Sequence, residues 1–359
     1  MIRSWVAAST SGITNYQKDT RALSLNVLAA TGFRKTYDFR GSTEPQIDEE
    51  DGYCDALQMV LANIILLMLV PFYVLRNMSK SWAEIGDAGL AFQKHMRKLL
   101  EAETTALAQG KPGSGGIMPS FVQTLEKGLS VEEIFGNLFV INLAGHDTTA
   151  NTLAFGMLLL AAHPKVQAWL AEEVAIVTSD DAVDAWDYKK LFPHLKRYGA
   201  VLYETLRLYP PLLKVGDQTL HIPEGVSLTV NLRVMQVHPS YWPNADQWLP
   251  SRRIAHAAPA GSLAAEQLAQ EELLVPSKSI FFPWGEGPQF CPGKKFDEVR
   301  AVAVIACLLK AHRLVVKKQV GESEDAAVKR ANDCSNDVDL EMLVQLRDID
   351  CVNLICTEV

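Results

Sequence analysis

An apolar pattern with the period of an α-helix runs from Ser130 to Ala162, and it constrains the fold of this chain more than any other feature. It starts with Ser-Val-Glu-Glu, in which the Ser130 hydroxyl can accept from the backbone N–H of Glu133 while the Glu133 carboxylate reaches back. Helices of globular proteins commonly run only about 8 to 20 residues. We therefore expect this helix to cross the core of the molecule.

Helical patterns also dominate the rest of the chain. Pro210 and Pro211 end one of them, because proline lacks the backbone donor and disfavours helix in the residue before it. Strand-like alternation is confined to 226–230 and about the last thirty residues, and a glycine-rich surface loop lies near 109–117. Further helices are expected at 19–32, 82–107, 165–177 and 194–208, and from just after Cys291 to 311. The predicted fold class is mainly α with a small β component.

Composition excludes several kinds of function. A formal net charge of -8 leaves no broad basic surface for phosphate groups, which argues against nucleic-acid binding. The six cysteines are scattered without a Cys-x-x-Cys pair or zinc-type spacing, so neither a disulfide framework nor a structural zinc site is expected. Residues 1–5 lack the apolar segment of a secretory signal. We expect a reducing, cytosolic environment.

Residues 56–75 are rich in Leu, Ile, Val and Met and are long enough to be mistaken for a membrane span. The segment also contains Gln58, Asn63 and Pro71, and polar groups inside hydrocarbon are costly. We expect a buried helix or one that touches a membrane surface.

The segment 281–296, FFPWGEGPQFCPGKKF, is the most informative for function. Its glycines and prolines make a tight aromatic loop that delivers Cys291 to the N-terminus of an amphipathic helix. The unpaired N–H groups and partial positive charge of a helix N-terminus stabilise a thiolate over a thiol. We therefore expect Cys291 to be an anion.

Taken alone, Cys291 has other interpretations. A single cysteine is more commonly a small apolar residue at a helix start. A nucleophilic role needs a base, and no histidine lies in the loop to supply one. A dinucleotide loop is excluded because Gly285-Glu-Gly287 lacks the third glycine and follows no βαβ pattern.

Two further motifs carry chemically useful groups. Within the long helix, Ala-Gly-His-Asp-Thr-Thr at 144–149 contains a glycine that allows close approach of another group. The Thr148 hydroxyl can bond the Ala144 carbonyl and open a polar notch, although such a motif is more often a solvated face or a packing kink. Glu204 and Arg207 stand at i, i+3 on one helix face, a spacing that usually gives weak surface pairs.

Together these segments resemble the cytochrome P-450 superfamily. The loop Pro-Trp-Gly-x-Gly-Pro-x-x-Cys-Pro-Gly looks like its haem-binding signature in a fungal form. In that resemblance Cys291 is the axial iron ligand and Trp284 packs under the haem. Gln289 stands where the family usually has an Arg or His that donates to a haem propionate. The implied haem contacts are Cys291, Trp284, Gly285, Gly287, Gln289, Phe290, Gly293, Ala144 and Gly145.

The same resemblance gives roles to the other motifs. The helix notch receives dioxygen, and Asp147 and Thr148 relay protons to it. Glu204 and Arg207 are buried together with Arg252 of Pro-Ser-Arg, as a charge triad beside the haem loop.

The resemblance implies a P-450-like helical fold that lacks its N-terminal part, so we expect a single incomplete domain over 1–359. Its parts are the helices at 1–129, the oxygen-binding helix at 130–162, the Glu-x-x-Arg helix to the Pro-x-Arg segment at 194–253, and the haem loop with its following helix at 281–311.

By this resemblance the protein is a monooxygenase that binds haem b and inserts one atom of dioxygen into a small apolar substrate. Electrons come from an NADPH-dependent reductase, which Lys294, Lys295 and Arg300 would face; the two lysines have the alternative of forming a solvated helix face. The implied location is the cytosolic face of the endoplasmic reticulum membrane, although a chain without the usual anchor can be soluble. Two alternatives stay open: a non-catalytic relative that folds partly or acts as an interaction surface, and a cysteine-dependent hydrolase or transferase.

Overall fold

The computed structural model describes residues 1–8, 10–34, 39, 56, 59–60, 63–109, 116–126, 129–179, 182–210, 231–256, 263–277, 280–288, 290–340 and 343–359. These residues form two compact units, one made of Met1–Thr20 with Thr148–Val359 and the other of Arg21–Asp147. The predicted strand at 226–230, residues 110–115 of the glycine-rich loop and Gln289 lie outside the described residues.

Helices make up most of the described chain, which confirms the predicted fold class. They are α1 (Ile2–Ala7), α2 (Tyr16–Phe33), α3 (Ile64–Leu69), α4 (Phe72–Leu75), α5 (Lys80–Ala108), α6 (Met118–Glu126), α7 (Val131–Ala162), α8 (Pro164–Thr178), α9 (Tyr188–Leu191), α10 (Lys196–Leu208), α11 (Leu232–Gln236), α12 (Ala264–Gln270), α13 (Lys294–Ala311) and α14 (Glu324–Asn336).

The strands are short and form antiparallel pairs. They are β1 (Ile254–Ala255) with β2 (Glu272–Leu273), β3 (His312–Val316) with β6 (Leu354–Glu358), and β4 (Val338–Leu340) with β5 (Val344–Leu346). Three of them lie in the last thirty or so residues, where alternation predicted strands. Helix α14 overlaps the start of that region and was not predicted from the sequence.

The predicted long helix is α7, and its capping box is confirmed. The backbone N of Ser130 donates to the Glu133 carboxylate at 2.7 Å, and the backbone N of Glu133 donates to the Ser130 hydroxyl at 3.2 Å. The bonds from Ser130 hold the pKa of Glu133 below its ordinary value. Every residue from Thr149 to Ala162 is buried, so the second half of α7 passes through a core as predicted.

The Arg21–Asp147 unit has its own apolar core. Its buried members come from α2, α5, α6 and the first half of α7, and include Leu25, Met96 and Leu138. Within the segment at 56–75, α3 ends before Pro71 and α4 follows it. In the described part of the chain, no single helix is both long and apolar enough to cross a membrane, although α7 and α8 together pass that test as a bent pair.

The other unit carries the larger core, built on the second half of α7, α8, α10, α13 and the β3–β6 pair. Helix α10 is buried from Arg197 to Leu208, and α13 packs against α8 and α10. Strand β3 follows α13 directly and pairs with β6, the last strand of the chain. These contacts hold both ends of α13, and the predicted haem loop immediately precedes its first residue.

Candidate functional site

The cysteine loop turns sharply before α13. Gly285 and Gly287 have φ of 74° and 82°, the left-handed region that glycine enters without strain. The backbone N of Cys291 donates to the Trp284 carbonyl at 2.8 Å, which closes the loop on itself. Gly293 then caps α13, and a Cβ there would lie 3.7 Å from the Cys291 Sγ. The thiol is half-buried at the start of a helix, where the sequence placed it.

A polar network missed by the sequence reasoning joins this loop to the long helix. The Trp284 indole N–H donates to Asp297 Oδ2 at 3.0 Å, and the Thr149 hydroxyl donates to Asp297 Oδ1. Arg300 donates to the Thr149 hydroxyl and lies 3.7 Å from Asp297 Oδ1. Asp297 and Arg300 stand at i, i+3 on α13, which was the available signal. The network fixes the orientation of Trp284.

The basic residues of α13 divide into two groups. Lys294 and Lys295 are exposed, and each ammonium lies over an aromatic ring, 5.1 Å from Trp284 and 3.9 Å from Phe192. Arg300 is buried, and burial lowers its pKa to about 10. The expectation that Arg300 faces a reductase is therefore wrong, because its guanidinium is buried and donates to the Thr149 hydroxyl beside Asp297.

A cavity of about 510 Å³ adjoins the loop. Five of its twelve lining residues are aromatic, one carries an ammonium and one a carboxylate, and Cys291 is not among them. Those that bear on the site are Tyr203, Phe281, Phe282, Trp284, Phe290 and Lys294. Phe290 is more than half exposed at the rim.

The predicted charge triad comes together in the structure around Glu204. Arg207 lies 2.8 Å and Arg252 2.9 Å from Glu204 Oε1, and Glu204 and Arg207 are fully buried. The Arg207 guanidinium also donates to the carbonyls of Gln236 and Ala245 at 2.9 and 2.7 Å. The cluster therefore ties α10 to the segment that follows α11.

Arg253 is a fourth member that sequence reasoning missed. Its Nε lies 3.2 Å from Glu204 Oε2, on the other side of the carboxylate from Arg207, and only 1% of its surface is exposed. Its guanidinium sits 4.6 Å from the Trp242 ring and 4.3 Å from the Phe281 ring. Burial lowers its pKa to about 10. Phe281 begins the cysteine loop segment, so the cluster and the loop are in contact.

The Ala-Gly-His-Asp-Thr-Thr motif of α7, residues 144–149, is divided between the two units: 144–147 belong to one and 148–149 to the other. In the Arg21–Asp147 unit, Asp147 Oδ1 accepts from Arg21 Nε at 2.8 Å. The Ser24 hydroxyl donates to the His146 carbonyl at 2.9 Å, and a Cβ at Gly145 would lie 3.5 Å from the Leu28 methyl groups. That is an ordinary contact distance, so an alanine would also fit beside α2, and a special role of Gly145 in close approach stays a prediction. Ala144 lies in the same unit, whereas Thr148 belongs to the unit of Cys291, and its bond to the Ala144 carbonyl stays a prediction.

The helical fold and the loop define a class: a mainly α protein that holds one half-buried thiol at the start of a helix. Comparison with known proteins then identifies the family. The family model for cytochrome P450 matches residues 4–328. A cytochrome P450 monooxygenase of Arthrobotrys oligospora is 25% identical over 79% of this chain and 55% of its own length. The phomenoic acid biosynthesis cluster cytochrome P450 monooxygenase of Leptosphaeria maculans is 28% identical over 78% and 54%.

A crystal structure of a cytochrome P450 (CYP102L1) superposes with a TM-score of 0.69 at 18% identity, covering 99% of this chain and 75% of that one. The chain belongs to the cytochrome P450 family. It spans a little over half the length of the two curated relatives.

The residues present fit the haem that this family implies. A cysteine thiolate can hold a haem iron, and the loop presents one half-buried thiol. The cavity beside the loop supplies aromatic walls from Phe282, Trp284 and Phe290. A Cβ at Gly293 would lie at ordinary contact distance from the Cys291 Sγ, so the backbone at Gly293 does not crowd the sulfur. Lys294 supplies an exposed cation close to the loop, which suits a carboxylate.

Proposed function

We propose that this protein is a haem-thiolate monooxygenase and that the Cys291 thiolate binds the iron of haem b. The observation that carries the proposal is the placement of Cys291. A loop turned by two left-handed glycines and closed by the bond to the Trp284 carbonyl sets its thiol at the start of α13. Only the thiolate form of cysteine is a metal ligand, so the sulfur would bind iron as an anion.

Bound haem would supply the iron at which dioxygen is activated, with thiolate donation favouring O–O cleavage. The chain's own contribution is rigid placement of the sulfur. The Asp297 network holds Trp284, whose carbonyl holds the Cys291 backbone. Arg253 joins the buried cluster to Phe281 at the start of the same segment. A ligand so constrained keeps its geometry through the reaction.

We assign proton delivery to the Asp147 carboxylate and the Thr148 hydroxyl. The ion pair from Arg21 orients the Asp147 carboxylate, and the Asp147 side chain keeps 29% of its surface exposed, so water can exchange protons with it. Arg21 is then a positioning residue for this acid.

Electrons would come from an NADPH-dependent reductase. Lys294 and Lys295 are exposed at the start of α13, directly after the proposed ligand. Complementary charge steers weak electron-transfer partners into register. We propose that an acidic face of the reductase docks on these two lysines.

We propose contact with a membrane surface near α3 and α4, at the cytosolic face of the endoplasmic reticulum. Leu69, Tyr73, Met78 and Trp82 are exposed there, and the exposed Arg76 lies among them. Exposed apolar side chains next to basic ones suit the interface of a bilayer. A small apolar substrate would partition into that same phase.

Transfer of labelled oxygen tests the activity. Full-length protein loaded with haem is incubated with NADPH, a P450 reductase and a mixture of apolar compounds under ¹⁸O₂. The expected product carries one ¹⁸O atom, Cys291→Ala yields none, and Cys307→Ala, which alters a half-buried cysteine later on α13, keeps the activity. Label taken from H₂¹⁸O instead, or labelled product from Cys291→Ala, would overturn the proposal.

A further inference from the structure

Two cysteines outside the proposed haem loop meet at one backbone oxygen. Cys334 lies on α14, and Cys351 lies in the turn that precedes β6. The Cys334 Sγ donates to the Asp348 carbonyl at 3.3 Å, and the Cys351 Sγ donates to the same oxygen at 3.0 Å. Two sulfurs that share one acceptor lie within reach of each other. Both follow residue 328, where the family match ends.

A cavity of about 550 Å³ opens on this pair. Both cysteines line it, together with Arg330 and three aspartates. Cys334 is buried and Cys351 is half-buried, so a solute in the cavity reaches the Cys351 sulfur first. The Cys351 sulfur is therefore the more accessible of the two.

A fixed cation stands beside the two sulfurs. The Arg330 guanidinium donates to the Cys351 carbonyl at 2.7 Å and to Glu322 at 2.7 Å, which holds it against the turn. Burial and a hydrogen bond with Cys351 raise the pKa of Cys334, so Cys334 keeps its proton longer. The two sulfurs thus differ in exposure.

We propose that Cys334 and Cys351 form a redox-active dithiol that hydrogen peroxide closes to a disulfide. The Cys351 sulfur attacks one peroxide oxygen, so that an S–O bond forms, the O–O bond breaks and water leaves after protonation. The Cys334 sulfur then attacks the Cys351 sulfur, the S–S bond forms, the S–O bond breaks and a second water leaves. Two thiols are oxidised by two electrons and one peroxide is reduced.

Closure would tie α14 to the turn that leads into β6. Strand β6 pairs with β3 over its full length, and β3 continues directly from α13. A crosslink at this point restricts the release of the C-terminal strand. We expect the oxidised protein to resist proteolysis at its C-terminal end several-fold longer than the reduced protein does.

Peptide mapping tests the proposal on the full chain. Reduced protein is treated with hydrogen peroxide, its free thiols are alkylated, and the digest is analysed by mass spectrometry. A peptide that joins Cys334 to Cys351, absent without peroxide and lost on reduction, is the expected result. Independent alkylation of both cysteines, a Cys351 sulfinic acid without the crosslink, or a crosslink to another cysteine would overturn it.

A second measurement tests the proximity of the two thiols by a different chemistry, with one variant and one matched control. Phenylarsine oxide bridges two adjacent thiols, so one equivalent should protect both cysteines of the wild-type chain from alkylation. Cys351→Ser should abolish the protection, whereas Cys356→Ser, at a fully buried cysteine of β6, should keep it. Protection that survives Cys351→Ser would contradict the dithiol.

Discussion

The Glu204 cluster and the Cys291 loop belong to the same compact unit, but they treat charge in opposite ways. Glu204, Arg207 and Arg253 are almost fully buried, with three guanidiniums around one carboxylate once Arg252 is included. The Cys291 thiol is half-buried in a loop turned by glycines. Removing the carboxylate from a buried ionic cluster leaves uncompensated charge and destabilises the fold. A sulfur that binds a ligand must instead stay accessible to that ligand. The cluster therefore has a structural role, and the loop is the proposed site of the chemistry.

The largest effect is expected at Glu204. Glu204→Gln removes the single anion and leaves three guanidiniums facing one another, which should lower the free energy of unfolding by about 3 to 5 kcal/mol. Urea denaturation followed by circular dichroism measures it. Glu172→Gln is the matched control, because Glu172 also pairs with an arginine, Arg197, but is largely exposed and should cost less than about 1 kcal/mol. Equal losses at the two sites would show that the cluster is not scaffolding.

The second prediction concerns Glu173, a buried carboxylate bonded mainly by backbone N–H groups. Its protonation should make the stability of the protein depend on pH. Glu173 accepts from the backbone N of Arg197 and Tyr198, and burial raises its pKa from 4.5 to about 7. Between those values the folded protein holds a proton that the unfolded chain has lost, so stability falls as the pH rises from about 4.5 to 7. The loss is on the order of 3 kcal/mol at most.

Glu173→Gln removes this titration. Urea midpoints at pH 5 and pH 8 should therefore differ less in the variant than in the wild type. A variant whose midpoint falls as steeply as that of the wild type would assign the pH dependence to other groups.

The Cys291 loop is expected to contribute less to stability than the Glu204 cluster. Asp297 tests this, because it accepts hydrogen bonds from Trp284 of the loop and from Thr149 of α7. Asp297→Ala removes the acceptor of the Trp284 indole and the Thr149 hydroxyl and leaves Arg300 without its carboxylate. The expected cost is about 2 kcal/mol, since hydrogen bonds to charged groups contribute about 1.5 to 3 kcal/mol. Asp297→Asn keeps an acceptor oxygen and should cost less. Tryptophan fluorescence should report a changed environment of Trp284, and unchanged fluorescence would contradict the network.

The smallest effect is expected at Arg253, because three guanidiniums surround the single carboxylate of Glu204. Burial already disfavours the charged form of Arg253, whose pKa falls to about 10. Arg253→Met replaces it with a flexible apolar side chain that can pack between Trp242 and Phe281. Its free energy of unfolding should stay within about 1 kcal/mol of the wild type. A loss as large as that of Glu204→Gln would mean that all three arginines are required.

Local signals in the sequence predicted the elements well. The capping box at Ser130 and Glu133 marks the start of α7, and Pro164 marks the start of α8, because both act through their immediate neighbours. The i, i+3 spacing predicted that Glu204 and Arg207 share a face, but not that the pair is buried. Burial came from the family resemblance.

Contacts that depend on tertiary packing were not predicted. Arg253 follows Arg252 in the chain, and only the 3₁₀ turn at Pro250–Arg253 packed on α10 directs both guanidiniums to one carboxylate. Thr149 and Asp297 lie on different helices, far apart in sequence, so no pattern within either helix indicates their bond. The same holds for Cys334 and Cys351, whose proximity depends on the turn at Asp348.

The central claim, that Cys291 is the iron ligand, is tested most directly by the absorption spectrum of the reduced, haem-loaded protein under carbon monoxide. We predict a Soret band at the red-shifted position of thiolate-ligated haem in the wild type, its loss in Cys291→Ala, and its move to the position of imidazole-ligated haem in Cys291→His. A wild-type spectrum without the thiolate band, or a thiolate band that persists in Cys291→Ala, would contradict the account.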